Sequence, residues 1–322
     1  MKFIFTADLH IKIGQKNVPP DWQRARFHKL FTDIYEYAAN EHIPAVIIGG
    51  DLFDRIPSME ELNLYFELLH IISDAKVETM LYSGNHEALK KNTTFLSYLK
   101  QLSYKSTNGY MEIIDTITNY KGLDIVPYNC LKDYKFTSKT SNILCTHVRG
   151  AIPPHVVPEI DLSLLDKWDL VLAGDLHSYS NSQRNIKYPG SPLTTSFHRE
   201  EVQTGFLVID SSTLETEFIK LKLPQLIRKT VKSTAEMVQT DFNHTIYEIE
   251  GDLAELSKVK GHDLLDKKVV KREAVSSLNL KPSMTLGEEL KLYLVNVLSI
   301  DENKARHTVE LFNDYIKGID LE

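Results

Sequence analysis

Short, largely apolar runs set the rhythm of the first half of the chain. Phe3-Ile4-Phe5, Val46-Ile47-Ile48, Thr79-Met80-Leu81, Ile143-Leu144-Cys145 and Leu170-Val171-Leu172 carry the signature of strands buried on both faces of a sheet. Helical patterns separate the first three. Arg24 to Asn40 repeats apolar residues at Phe27, Leu30, Phe31, Ile34, Tyr35 and Ala38, and Ser58-Met59-Glu60-Glu61 has the form of a capping box opening a helix that runs to Ala75. The resulting β-α-β-α-β order predicts a layered α/β core.

Further along, Gly205 to Asp210 and Glu217 to Leu223 resemble a hairpin around Ser211-Ser212, and Pro224 marks a boundary that closes a first domain, residues 1–224. Residues 225–280 hold a helix-like stretch near Thr234, a strand at Thr245 to Ile249 and a basic segment, too little for an independent core. A small capping domain is expected there. Residues 281–322 return to helical periodicity. Leu286, Leu290, Tyr293, Leu294, Val297 and Leu298 share one face, then Val309, Phe312, Tyr315 and Ile316 share another, with Gly318 as a cap. A short helical hairpin must cover its apolar stripe against its own cap domain or a partner, and Leu290, Tyr293, Val297, Phe312 and Tyr315 are the candidate partner contacts.

Chemistry enters at the carboxyl ends of the buried runs. Each of the five ends in residues of metal-ligand type: Asp8-Leu9-His10, Gly50-Asp51, Gly84-Asn85-His86, His147, and Gly174-Asp175-Leu176-His177. Open α/β sheets bind ligands beyond those ends, so distant strands can feed one site. The oxygen and imidazole donors suffice for two divalent ions, which about 3.5–4 Å apart can clamp a phosphoester and activate water. In this reading Asp51 bridges the ions, Asp8, His10 and His177 complete one shell, and Asn85, His147 and Asp175 complete the other. His86 is placed to protonate the leaving oxygen. The mixed shell suits manganese and leaves magnesium, iron and zinc open.

Composition narrows the setting. The 322 residues are 42% hydrophobic and 25% charged, ordinary globular values. No stretch approaches the length that spans a bilayer, so the expectation is a soluble, cytoplasmic protein without membrane contact. Cys130 and Cys145, both in apolar contexts read as strands, are expected to be reduced core residues. A net charge of −7 argues against nucleic-acid binding by bulk electrostatics, although metal ions and a local patch can supply phosphate contacts. Lys258, Lys260, Lys267, Lys268, Lys271 and Arg272 form such a patch. Of these, Lys267, Lys268, Lys271 and Arg272 are the candidate DNA contacts, with a solvated loop as the alternative.

These motifs closely resemble the calcineurin-like metallophosphoesterase superfamily, through Asp8-Leu9-His10, Gly50-Asp51-Leu52-Phe53-Asp54, Gly84-Asn85-His86-Glu87 and the later histidines. The resemblance implies an α/β fold of the α+β four-layer sandwich type with a dinuclear site, here carrying a small capping domain and a C-terminal helical hairpin. Thr146-His147-Val148-Arg149-Gly150, Tyr188-Pro189-Gly190-Ser191-Pro192, Ser196-Phe197 and Gly205-Phe206 are further similar to the SbcD-type nuclease subunit of double-strand-break repair. That resemblance implies a manganese-dependent DNA nuclease, exonucleolytic on duplex ends and endonucleolytic on single strands or hairpins, working with an SbcC-type coiled-coil ATPase in recombination, repair or replication. It also implies a homodimer formed through Met59 to Ala75 and Thr93 to Leu102, using Leu62, Tyr65, Phe66, Leu69, Ile72, Phe95, Tyr98 and Leu99, unless these are buried within one subunit. The chain is compact for that family, which raises a phage-encoded member acting in the host cytoplasm. One departure stands out: where the family has Gly-His-x-His, this chain has Gly174-Asp175-Leu176-His177. Asp175 is expected to ligate metal in place of the imidazole; otherwise the second ion is loosely held. Two other readings stay open, a phosphatase or small-molecule phosphodiesterase on the same scaffold, and a scaffold protein without chemistry.

Overall fold

Alternation within the apolar runs decides how the strands stack. In β1 (Lys2–Thr6), Phe3 and Phe5 face one way and Ile4 the other, as the two-residue period of a strand requires. Ile4, with Val46 and Ile48 of β2 (Ala45–Ile48) and Leu81 of β3 (Glu78–Tyr82), packs on helices α1 (Pro20–Asn40) and α2 (Met59–Ala75). Phe3 and Phe5 join Ala45, Ile47, Met80 and Tyr82 on the opposite face, where they meet Ile125, Cys145 and Leu172 of a second sheet. The five predicted strands therefore divide between two sheets instead of sharing one edge. A run buried on both faces reads the same in either sheet, so the division was not visible in the pattern.

The structure, a computed structural model, describes residues 1–90, 92–238, 240, 242–251, 256–259, 265–269, 280 and 283–316. Two compact units emerge, Met1–Lys229 with Met237–Tyr247, and Thr230–Glu236 with Glu248–Glu322. In the first, β4 (Ala88–Lys90) and β5 (Thr93–Thr94) form a small ribbon ahead of α3 (Leu96–Ser106) and β6 (Met111–Ile114). Then follow β7 (Thr118–Tyr120), β8 (Leu123–Val126), the helical turn α4 (Tyr128–Leu131), β9 (Ile143–His147), β10 (Leu170–Gly174) and β11 (Ile186–Lys187). The expected hairpin appears as β12 (Gly205–Asp210) and β13 (Thr216–Lys220), paired antiparallel. The first sheet runs β13-β12-β1-β2-β3-β6 and the second β11-β10-β9-β8-β7. β1, β2, β3 and β6 run parallel, as do β8, β9, β10 and β11, whereas β12 lies antiparallel to β1. A third core of Leu144, Val171, Ala173, Phe136 and Trp168 covers the outer face of the second sheet.

Local signals agree with these elements. Pro20 opens α1, where its missing N–H costs nothing, and the whole predicted stripe from Phe27 to Ala38 is buried. Ser58 and Glu61 form the capping box of α2, and Glu61 also accepts from the Ile13 backbone at 2.8 Å and from Arg55 at 2.9 Å. Both cysteines are free; Cys145 lies in β9 as expected, but Cys130 sits half-buried in the α4 turn, not in a strand. Of the residues named for a dimer, Tyr65, Leu69, Ile72 and Phe95 belong to the chain's own core, Leu62, Phe66 and Leu99 are half-buried, and Tyr98 is 82% exposed.

β14 (Leu226–Thr230), β15 (His244–Gly251) and β16 (Leu265–Val269) form a three-stranded sheet. Lys267 and Lys268 lie in β16; Lys271, Arg272 and Gly318 fall outside the described residues. Helices α5 (Leu286–Asn296) and α6 (Glu302–Ile316) pair within the second unit, and Thr285 caps α5 in a box with Glu288. Leu294 and Ala305 are buried there, Leu290 and Phe312 half-buried, and Tyr293, Val297 and Tyr315 exposed. Among the described residues no helix is long and apolar enough to cross a membrane.

Candidate metal centre

The carboxyl ends of β1, β2 and β3 in one sheet and of β9 and β10 in the other converge on a single site. Backbone bonds lock the approach: the Asp8 N–H donates to the Gly50 carbonyl at 3.1 Å and the His10 N–H to the Asp51 carbonyl at 2.9 Å. The loops hold Asp8, His10, Asp51 and Asp175 at φ of 57°, 47°, 51° and 104°. Left-handed backbone at non-glycine residues costs roughly 1–3 kcal/mol each and persists where the surroundings over-determine it. Gly50, at φ 91°, allows a closer approach still, since a Cβ there would stand 2.5 Å from His147 Nδ1. At Gly84 a Cβ would collide with the Asp51 carboxylate, so the glycines of these motifs are there to let ligands crowd together.

Side-chain donors meet as a cation would require. His10 Nε2 and His177 Nε2 are 3.0 Å apart, and Asp8, His10 and His177 each offer a ligand atom within 4.8 Å of the others. A second group, Asp8, Asp51 and His147, satisfies the same limit, as does a third, His10, Asp54 and His86. His147 Nε2 lies 3.0 Å from Asn85 Oδ1 and 3.4 Å from Asp51 Oδ2. Its Nδ1 donates to the Gly49 carbonyl at 2.9 Å, which leaves Nε2 as the ligating atom. His86 is tied by its N–H to Asp51 Oδ1 at 3.0 Å and by Nδ1 to the Asp54 carbonyl at 2.5 Å, with its Nε2 3.9 Å from Asp51 Oδ2. Asp8, His10, Asp51, Asn85, His147 and His177, with His86 beside them, are thus brought together.

Asp175 is arranged differently from the expectation. Its backbone N–H donates to both Asp8 carboxylate oxygens, at 3.0 and 3.2 Å, but its own carboxylate belongs to none of the three ligand groups. Arg149 occupies it, through Nε at 3.0 Å and a terminal nitrogen at 3.2 Å. The shorter reach of an aspartate, compared with histidine, lets the guanidinium fork close on it from β9's end. The pairing holds the Arg149 guanidinium even more firmly protonated than usual.

Electrostatics support cation binding. Burial, and then the charge of Asp51 against the pull of His147, push the Asp8 carboxyl up to about 8. Burial lowers His10 to about 3 and also depresses His177, so both are neutral imidazoles at neutral pH. For His147 burial works downward too, but the charge and hydrogen bond of Asp51 carry it up to about 10. Burial opposes ionisation of Asp51, yet His147, with His10 and His86, holds its carboxyl below the usual range. Two carboxylates this deeply buried, ringed by imidazole nitrogens, fit a cation that neutralises them.

One residue that the motif reading left without a role organises the site. Glu87 is fully buried, and its carboxylate accepts backbone N–H groups from Asp51 at 3.0 Å, Phe53 at 2.9 Å and Gly84 at 2.8 Å. It clamps the β2 loop to the β3 loop. Burial and the neighbouring Asp51 push it up to about 7. In the sequence it stands as the last residue of Gly84-Asn85-His86-Glu87, with no sign of the backbone groups it would bind.

Two sheets stacked face to face, with carboxylates and imidazoles pooled at their shared carboxyl edge, define a metallophosphoesterase domain. The chain belongs to the calcineurin-like phosphoesterase family, whose profile matches residues 1–179. It is 40% identical over 326 residues to the protein called "Probable exonuclease subunit 1" of Escherichia phage T5, covering 98% of this chain and 99% of that one. The DNA double-strand break repair protein Mre11 of Halobacterium salinarum is 25% identical over 74% of this chain and 64% of its own length. SbcD, from the SbcCD nuclease of Staphylococcus epidermidis, is 23% identical over 69% of this chain and 70% of its own. The family works with paired divalent metal ions, and the donor set described above fits them.

Proposed function

We propose that the protein is a manganese-dependent DNA nuclease subunit, exonucleolytic on duplex ends and endonucleolytic on single strands or hairpins, working with an SbcC-type coiled-coil ATPase. The observation that carries this reading is the near end-to-end similarity to a phage exonuclease subunit, coupled to the convergence of Asp8, His10, Asp51, Asn85, His147 and His177 on one site. Asp8, His10 and His177 would hold one ion, Asn85 and His147 the other, and Asp51 would bridge them. Divalent ions bound there supply Lewis-acid polarisation of the phosphodiester and a water nucleophile at neutral pH. Because His86 Nδ1 is committed to the Asp54 carbonyl, Nε2 is the atom that hands a proton to the leaving oxygen. Asp51 fixes the backbone of that histidine through its Oδ1.

Supporting roles follow the same reading. The α5–α6 hairpin, with Tyr293, Val297 and Tyr315 exposed, is the proposed seat for the ATPase, and the face carrying Tyr98 is the proposed homodimer contact. Lys267, Lys268, Lys271 and Arg272 are the proposed DNA contacts, and the site of action is the cytoplasm, that of the host if the chain is phage-encoded. The test is cleavage of end-labelled linear duplex by the full chain with manganese, alone and with an SbcC-type coiled-coil ATPase. Degradation stimulated by the ATPase, and abolished by Asp51→Ala or His86→Ala, is expected. Intact DNA alongside hydrolysis of a small phosphodiester would replace this reading with a small-molecule phosphodiesterase.

A further inference from the structure

The Arg149–Asp175 pair stands beside the ligand cluster without belonging to it. Parallel pairing of β9 and β10 sets Gly174 opposite His147, so the residues just beyond, Arg149 and Asp175, emerge side by side. The Asp175 side chain is 6% exposed and both its oxygens are engaged by the guanidinium, which is itself 40% exposed. Glu159 adds a second anchor, accepting the Arg149 backbone N–H at 3.0 Å and lying 3.8 Å from Nε. The result is a cation with its inner edge bound, its outer edge open to solvent, and its anchor joined through its backbone N–H to both carboxylate oxygens of Asp8. A planar guanidinium of this kind matches the non-bridging oxygens of a phosphodiester as well as it matches a carboxylate.

We propose that Asp175 seats Arg149 instead of ligating metal, and that the Arg149 guanidinium so held contacts a backbone phosphate of the DNA. This rests on the nuclease reading above. Arg149 is then a substrate-binding residue and Asp175 its positioning residue. The substitution of aspartate for the family's histidine exchanges a metal bond for a fixed phosphate contact, and the second ion relies on Asp51, Asn85 and His147.

The test uses the full chain and two independent readouts. First, bound manganese is counted after equilibrium dialysis: Asp175→Ala and Asp175→Asn keep the wild-type number, whereas His147→Ala loses an ion. Second, duplex binding is measured across salt concentrations in a His86→Ala background, which holds DNA without turnover. Arg149→Ala and Asp175→Ala each weaken binding roughly ten-fold or more and lower the log K against log salt slope by about one. The double variant is no worse than Arg149→Ala alone, and Arg149→Lys restores the slope. Should Asp175→Ala fail to fold, Asp175→Asn and Arg149→Lys carry the same comparison. Loss of an ion in either Asp175 variant overturns the proposal, as does an unchanged salt slope in Arg149→Ala when wild type binds DNA. A wild-type protein that binds manganese but no DNA fails at the nuclease reading itself and takes the Arg149 contact with it.

Discussion

Removing Glu87 should unfasten the metal site before it unfolds the domain. The three N–H groups on its carboxylate belong to Asp51, Phe53 and Gly84, all buried, so water cannot replace the lost acceptor. A buried donor left unpaired costs about 1–3 kcal/mol, so Glu87→Ala, which strands three, should cost ~3–5 kcal/mol once shared relaxation is allowed for. At about 2–4 °C per kcal/mol for a domain of this size, that is a fall of roughly 6–20 °C in melting temperature. Glu87→Gln separates geometry from charge. Oε2 accepts from Asp51 and Gly84 and Oε1 from Phe53, so a glutamine with its oxygen in the Oε2 position strands only the Phe53 N–H. Its cost should be one donor's worth, about 1–3 kcal/mol. Because Asp51 also positions His86, a displacement of about 1 Å in the Ala variant should lower the cleavage rate about a hundred-fold. Urea unfolding followed by tryptophan fluorescence, paired with manganese-dependent cleavage, measures both effects. A Glu87→Ala protein that unfolds within about 1 kcal/mol of wild type, or a Glu87→Gln protein as damaged as Glu87→Ala, would refute the clamp.

Three further outcomes follow from the electrostatics of buried groups. His147, raised to about 10, must give up a proton to ligate, so manganese binding should release at least one proton and tighten as pH rises from 6 to 8; calorimetry in buffers of different ionisation enthalpy would detect it. By the same coupling chelation should lower the melting temperature, and an unchanged value would show that Asp8 and Asp51 need no cation. Asp124 accepts from the Thr140 backbone at 2.9 Å, the Ser141 backbone at 3.1 Å, Trp168 Nε1 at 2.8 Å and Asn119 at 3.0 Å. Burial opposes its ionisation, but these bonds hold its carboxyl below the ordinary value of 3.8, so its contribution is complete above 3.8 and is lost as pH falls through the lower folded value. Asp124→Asn should therefore cost about 1–3 kcal/mol at pH 6, with the gap to wild type narrowing below about pH 4 in acid-unfolding series.

Much of the site was legible because its chemistry sits where strands end. Asp8, Asp51 and Asn85 follow apolar runs whose burial on both faces is plain in the residues, and the capping box at Ser58 and the stripe of α1 follow from local rules. What stayed hidden depends on partners remote in sequence. Arg149 and Asp175 meet only because β9 and β10 lie side by side, and nothing in Gly174-Asp175 announces that its carboxylate is taken. The short strands β6 and β8 lack flanking motifs, and Cys130, read as strand, lies in a turn after Pro127. Glu87 closes the Gly84-Asn85-His86-Glu87 motif, but its part as a clamp shows only once three backbone donors converge on it.

β1, which carries Asp8 and His10 at its end, is an interior strand only because β12 pairs along its other side, Lys2 opposite Asp210 and Phe5 opposite Leu207. During synthesis this early strand must wait for some of the last residues of its domain. A nascent or truncated chain ending before Gly205 would present β1 as a bare apolar edge, open to strand addition from a neighbour. The β12–β13 hairpin thus shields the newly made chain from strand addition until the phosphoesterase domain can close.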